Sequence, residues 1–160
     1  MPPSLKTASS AITDATPSAP RIDTTYLETL LGYNARRVSL KVIELFALRM
    51  ADYGLSPVDF SILSLITHNP GITSRQICSA LNLLPPNLVG KISTMEKRAL
   101  VARRPHPEDG RAIGLYLIGE GEHLMRNAER TASALEQEAA SRLSPAEKKT
   151  LLRLLQKVYL

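Results

Sequence analysis

The chain has 160 residues, a single cysteine and a formal net charge of +5. That length buries an ordinary core without staples, and one cysteine excludes an intramolecular disulfide, so the expected setting is the reducing cytoplasm. Leu40 to Ala51 is the most apolar stretch. Lys41, Glu44 and Arg49 interrupt it, and it falls well short of the roughly 20 apolar residues that span a bilayer.

Residues 1–22 are rich in Ser, Thr, Ala and Pro, with no apolar central run of a secretory signal, and are read as a disordered tail. Residues 23–160 are read as one folded unit. From Tyr26 to Tyr53 (26–53) the pattern predicts one long helix, apolar on more than one side: Leu27, Leu30, Leu31, Val38, Val42, Ile43, Leu45, Phe46 and Met50. A helix of that kind packs between two surfaces.

Residues 56–117 hold short elements with clear punctuation. Ser56-Pro57-Val58-Asp59 reads as a capping Ser, Pro at the first helical position and an acid at the third, followed by a helix through Ile66. Thr73-Ser74-Arg75-Gln76 is a second capping box, opening a short helix with Ile77, Cys78 and Leu81 inward. Pro85-Pro86 is tolerable only at a helix start, and Leu88, Ile92, Met95 and Ala99 then form one apolar stripe. Helix, turn and helix are followed by a change of period. Val101 to Arg104 and Ile113 to Leu117 alternate as strands across a turn ending in Asp109-Gly110, which makes a β-hairpin wing.

The C-terminal part, 119–160, reads as two helices. One covers Glu122 to Leu143. The other starts at the Ser144-Pro145-Ala146-Glu147 capping box and carries Leu151, Leu152, Leu154, Leu155, Val158 and Tyr159. One monomer offers no internal partner for so many terminal apolar faces, so a homodimer built by the two chain ends is expected. The fold class is mainly α with a small β-hairpin, a winged helix-turn-helix between long dimerisation helices.

Charge is concentrated in the middle. From Ser74 to Arg111 there are seven basic residues (Arg75, Lys91, Lys97, Arg98, Arg103, Arg104 and Arg111) against Glu96, Glu108 and Asp109. A charge run alone reads as a solvated face; on a helix-turn-helix with a wing it reads as a duplex-DNA footprint.

The segment Met95-Glu96-Lys97-Arg98-Ala99-Leu100-Val101-Ala102-Arg103-Arg104, with Asp109 and Arg111 at the wing tip, resembles the signature of the MarR family. The resemblance covers about Tyr26 to Leu160. It implies a dimeric, ligand-responsive DNA-binding regulator, a repressor of a pseudo-palindromic operator. Gly90 and Pro85-Pro86 depart from the basic and small polar residues common in the family's recognition helix. Within the family the chain is similar to repressors of nicotinate catabolism, which implies 6-hydroxynicotinate or another small aromatic carboxylate as effector.

The candidate DNA-binding residues are Ser74 and Arg75 for phosphates, Pro86, Asn87, Lys91, Thr94 and Arg98 on the recognition helix, and Arg103, Arg104 and Arg111 on the wing, with Asp109 orienting Arg111. Read singly, Arg103 and Arg104 are also ordinary strand-edge charges. Tyr33, Asn34 and Arg37, with His68, are the candidate ligand contacts; the alternatives are dimer contacts for Tyr33 and Asn34, a surface ion pair for Arg37 and a helix-end position for His68.

No motif for nucleophilic or phosphate chemistry is present, and His68, His106, His123 and Cys78 lack zinc-ligand spacing, so neither an enzyme, a cofactor nor a metal is expected. Cys78, in phase with Ile77 and Leu81, reads as a buried inert thiol rather than an oxidant sensor. The competing function is a winged helix used only for protein contacts.

Overall fold

The computed structural model describes residues 22–107 and 109–160. The expected tail therefore lies, apart from Ile22, outside the described residues, as does Glu108 of the wing turn. The elements run α1 (Thr25–Glu28), α2 (Leu31–Arg49), a 3-10 turn (Ala51–Tyr53), α3 (Pro57–His68), α4 (Ser74–Leu81), α5 (Pro85–Lys97), β1 (Val101–Pro105), β2 (Ile113–Leu117), α6 (Gly119–Ala139) and α7 (Pro145–Tyr159).

The single helix expected over 26–53 is three pieces. The Thr29 hydroxyl donates to the Tyr26 carbonyl at 2.7 Å, and the Asn34 side-chain amide donates to the Glu28 and Leu30 carbonyls, each at 2.8 Å. The Thr29 and Leu30 N–H groups tighten to the Tyr26 and Leu27 carbonyls, three residues back, at 3.2 and 3.0 Å, and the chain leaves the helix at Thr29 and re-enters it at Leu31, with the Thr29 and Asn34 side chains bonded across the break. At the far end Met50 turns inward to full burial, and Gly54, at φ 58°, closes the 3-10 turn. The helix expected over 122–143 is displaced as well, starting at Gly119 and ending at Ala139.

All three capping boxes form. The Ser56, Thr73 and Ser144 hydroxyls accept from the backbone N–H groups of Asp59, Gln76 and Glu147, and those three side chains accept in return from the cap N–H groups.

The core sits where α3, α4 and α5 meet the wing and the first half of α6: Ile62, Leu63, Ile66, Ile77, Leu88, Ile92, Met95, Leu115, Met125 and Ala128 are all buried. Cys78 packs half-buried against this cluster. The wing strands pair antiparallel, Val101 with Leu117 through Pro105 with Ile113. A third segment joins them, since the Leu115 N–H donates to the Ile72 carbonyl and the Gly71 N–H to the Leu115 carbonyl, both at 2.9 Å. Gly114 makes that approach feasible, because a Cβ there would lie 2.7 Å from the Gly71 carbonyl oxygen.

Helix α6 ties the two ends of the molecule together. Its N-terminal half packs on α3, and further along it packs on α2, where Arg49 makes a two-pronged ion pair with Glu138 at 3.0–3.1 Å. Along α1, α2 and α7 a broad apolar surface stays exposed, including Tyr26, Leu31, Val38, Leu152, Leu154, Val158 and Tyr159. Among the described residues no helix is long and apolar enough to cross a membrane.

Candidate nucleic-acid interface

Helix α5 follows α4 through a turn in which Asn82 adopts the left-handed conformation at φ 50° and the Leu83 N–H returns to the Cys78 carbonyl at 3.0 Å. Leu88, Ile92 and Met95 are buried, which turns Pro86, Asn87, Val89, Gly90, Thr94 and Lys97 to the surface. Pro86, Asn87 and Thr94 thus stand exposed as the stripe requires. The Thr94 hydroxyl donates back to the Gly90 carbonyl at 3.0 Å.

On α5 and just past its end, two basic residues of the candidate set have partners elsewhere in the chain. Lys91 is half-buried, and its ammonium donates to Asp59 at 2.8 Å. Burial pushes the Asp59 carboxyl up, but hydrogen bonds from Lys91 and Ser56 outweigh it and hold the pKa below the usual carboxylate value. Arg98, just past the end of α5, donates to the Gly54 and Tyr53 carbonyls, each at 2.9 Å, and so caps the 3-10 turn. Neither pairing was legible in the chain order, because 32 residues separate Asp59 from Lys91 and about 45 separate Arg98 from its two carbonyls.

At the start of α4, Ser74 is half-buried and Arg75 exposed, next to a cap already closed by Thr73. On the wing, Arg103 donates to Glu96 at 2.9 Å, and the Arg104 guanidinium lies over the Tyr116 ring, 5.5 Å from its centre. Arg111 is exposed at the tip. Asp109 accepts from the backbone N–H of Arg111 at 3.0 Å, so its contact organises the turn rather than gripping the guanidinium.

The four candidate ligand residues do not meet within one chain. Asn34 holds the break between α1 and α2; Tyr33 and Arg37 lie near it on α2. His68, at the end of α3, is hydrogen-bonded to Glu129 of α6 at 2.9 Å and borders a groove of about 570 Å³ lined by Phe60, Ser64, Glu129, Lys148 and Leu152. Sequence reasoning missed Glu129 and Lys148, which carry no local signal of a site. A second concavity of about 390 Å³, between wing and α6, is lined by Arg104, Tyr116, Arg126 and Glu129. Among the described residues no cluster of His, Cys, Asp or Glu is arranged to hold a metal.

Comparison with known proteins gives this arrangement a lineage. Residues 53–112 match the sequence profile of the MarR family. The putative transcriptional regulatory protein for the hcr operon of Thauera aromatica is 27% identical over 130 residues, spanning 81% of this chain and 78% of that protein.

The transcriptional repressor CouR bound to a 23-mer DNA duplex superposes with a TM-score of 0.81 at 30% identity, covering 88% of this chain and 100% of CouR. CouR bound to p-coumaroyl-CoA superposes at 0.76 with 29% identity over 86% of this chain and 97% of CouR. BpsR of Bordetella bronchiseptica shares the fold, with a TM-score of 0.74 at 21% identity over 88% of this chain and 97% of BpsR. The chain belongs to the MarR family of winged-helix transcriptional regulators.

Proposed function

We propose that this protein is a transcriptional repressor that binds a pseudo-palindromic operator as a homodimer and leaves it when a small aromatic carboxylate, free or as a thioester, binds between its lobes. The observation that carries the reading is the winged helix-turn-helix itself, on a chain 30% identical to a repressor whose structure is bound to duplex DNA and alike along that repressor's whole length. Two copies of α5 would enter major grooves about one helical turn, ~10 bp, apart. The exposed apolar surface of α1, α2 and α7 would be covered by the second copy.

The DNA contacts divide by their freedom to reach out. Arg75, Asn87 and Arg111 are exposed, with Ser74, Pro86 and Thr94 beside them, and Arg104 stands on the wing over Tyr116. Lys91, Arg98 and Arg103 are engaged by Asp59, the Tyr53 and Gly54 carbonyls and Glu96, and act by holding α5 and the wing in place. Asp109 shapes the turn that carries Arg111.

For the effector we favour the groove beside His68, because α3 of the DNA lobe and α6 and α7 of the terminal helices all line it. Phe60 and Leu152 offer apolar contact, and Lys148 and His68 a carboxylate partner. A role there for Tyr33, Asn34 and Arg37 requires the second subunit to bring them. The ligand acts only if it prefers one dimer geometry over the other. p-Coumaroyl-CoA, the ligand of a CouR structure, supports the aromatic acyl class; 6-hydroxynicotinate is the specific acid proposed.

The test is fluorescence anisotropy on DNA flanking the gene, over a salt series, for the protein and for Arg111→Ala, with 6-hydroxynicotinate, salicylate and p-coumaroyl-CoA added in turn. Tight binding with a log-log salt slope near roughly −7, as for eight neutralised phosphates, weakened by the substitution and relieved by one compound, supports the reading. Binding no tighter than to random DNA, repeated after selection from random duplexes, would leave a protein-interaction role for the wing.

A further inference from the structure

Helix α5 begins in an unusual way for an element that reads polar edges. Its N-cap is Leu84, which supplies no side-chain cap. The first two helical positions are Pro85 and Pro86, which have no N–H. The next two N–H groups, of Asn87 and Leu88, both go to the Leu84 carbonyl, at 3.0 and 3.3 Å. The first turn therefore has no backbone donor left for a phosphate or a base, although a helix N-terminus ordinarily offers several.

The side chains repeat the message. Opposite the buried Leu88, Ile92 and Met95 lie Pro86 and Gly90, with Val89 beside them; Leu84 is 69% exposed and Val89 57%. Of residues 85–91 only Asn87 and Lys91 have polar side chains, and Lys91 is held by Asp59. Gly90 leaves open space, since a Cβ built there meets nothing within 4 Å. The leading half of the helix is thus an apolar, donor-poor surface with a recess at Gly90.

In the major groove the apolar feature of a base pair is the C5-methyl group of thymine, which cytosine lacks. We infer that Pro86 and Val89 read thymine methyl groups in each half-site, with Gly90 letting the α5 backbone approach the duplex closely. Specificity at those positions is carried by apolar contact, and Asn87 adds the polar contact beside it. This inference rests on the DNA-binding reading above and names the chemistry by which that interface discriminates.

The experiment takes a duplex selected from random sequence by the full-length protein and compares it with the same duplex synthesised with deoxyuridine for thymidine. The exchange removes the methyl and leaves the Watson–Crick edge intact. Affinity is expected to fall about three- to fivefold for each contacted methyl, the worth of one buried CH₂, at one or two positions per half-site.

Val89→Ser is expected to remove the share of that discrimination carried by Val89, leaving the part read by Pro86, while its melting temperature stays that of the parent, since Val89 is exposed. Equal binding of the two duplexes, or a thymine preference untouched by Val89→Ser, overturns the inference while leaving DNA binding intact. Failure to bind either duplex above scrambled DNA overturns the DNA-binding reading, and the inference with it.

Discussion

Lys91 of α5 donates to Asp59 of α3 across 2.8 Å, and Asp59 is at the same time the third-position acid of the Ser56 capping box. One carboxylate therefore fastens the recognition helix to the start of the helix beneath it. Lys91→Met should cost about 1 kcal/mol of stability at neutral pH, a typical value for a partly exposed pair, and should leave the salt slope of DNA binding unchanged. Urea denaturation and anisotropy measure the two quantities; a shallower salt slope would mean that Lys91 leaves Asp59 for a phosphate.

The same pair has a pH signature. The folded-state pKa of Asp59 is depressed, because its hydrogen bonds to Lys91 and Ser56 outweigh burial. Its contribution is therefore full above the unfolded-state value of about 3.9 and is lost as pH falls through the lower folded value. Melting temperature followed from pH 6 to pH 2 should show the parent and Lys91→Met converging at the acid end. A constant gap across that range would exclude the carboxylate as its origin.

Ala99 sits in the left-handed region at φ 53° just past α5, where the Leu100 N–H returns to the Met95 carbonyl at 3.0 Å. That position favours glycine, and Ala99 is exposed, so its methyl secures nothing. Ala99→Gly should raise stability by about 1 kcal/mol, or roughly 2–4 °C in Tm, as read by differential scanning calorimetry. No rise would show that the backbone relaxes around the alanine.

One substitution should act in opposite senses at two glycines. A Cβ on Gly121 would collide with the Leu100 carbonyl oxygen, where α6 meets the entry to the wing. Gly121→Ala should therefore destabilise by at least ~1–3 kcal/mol. Gly90→Ala has open space and should stabilise α5 by up to about 1 kcal/mol while weakening DNA binding. Thermal melts of both variants test the pair; equal effects would refute the packing argument.

Leu154→Glu on the exposed face of α7 should halve the mass measured by light scattering and abolish tight DNA binding, since a charge there cannot be buried against a second copy. An unchanged mass would move the dimer contact elsewhere.

Much of this protein is written in short-range chemistry. The boxes at Ser56, Thr73 and Ser144, the two prolines that start α5, and the Leu88, Ile92, Met95 stripe, from which Ala99 departs because α5 ends at Lys97, all depend on residues a few positions apart. Such interactions are local, so their sequence spacing is their geometry. The break at Thr29 escaped that reading although its bonds are local, because apolar periodicity continues through it while the Thr29 and Leu30 N–H groups tighten to carbonyls three residues back.

Folding alone decided which charges have partners within the chain. In the chain, Lys91, Arg98 and Arg103 look as ready for phosphate as Arg75 and Arg111. Only packing delivers Asp59 to Lys91 and the Tyr53 and Gly54 carbonyls to Arg98, and the turn from α5 into β1 brings Arg103 back to Glu96. It likewise sets His68 against Glu129, 61 residues away. By itself the sequence determined most of the elements, their order and the family they belong to; the tertiary structure decided which side chains are paired within the chain, because a charge's partner is set by proximity in space and no periodicity encodes it.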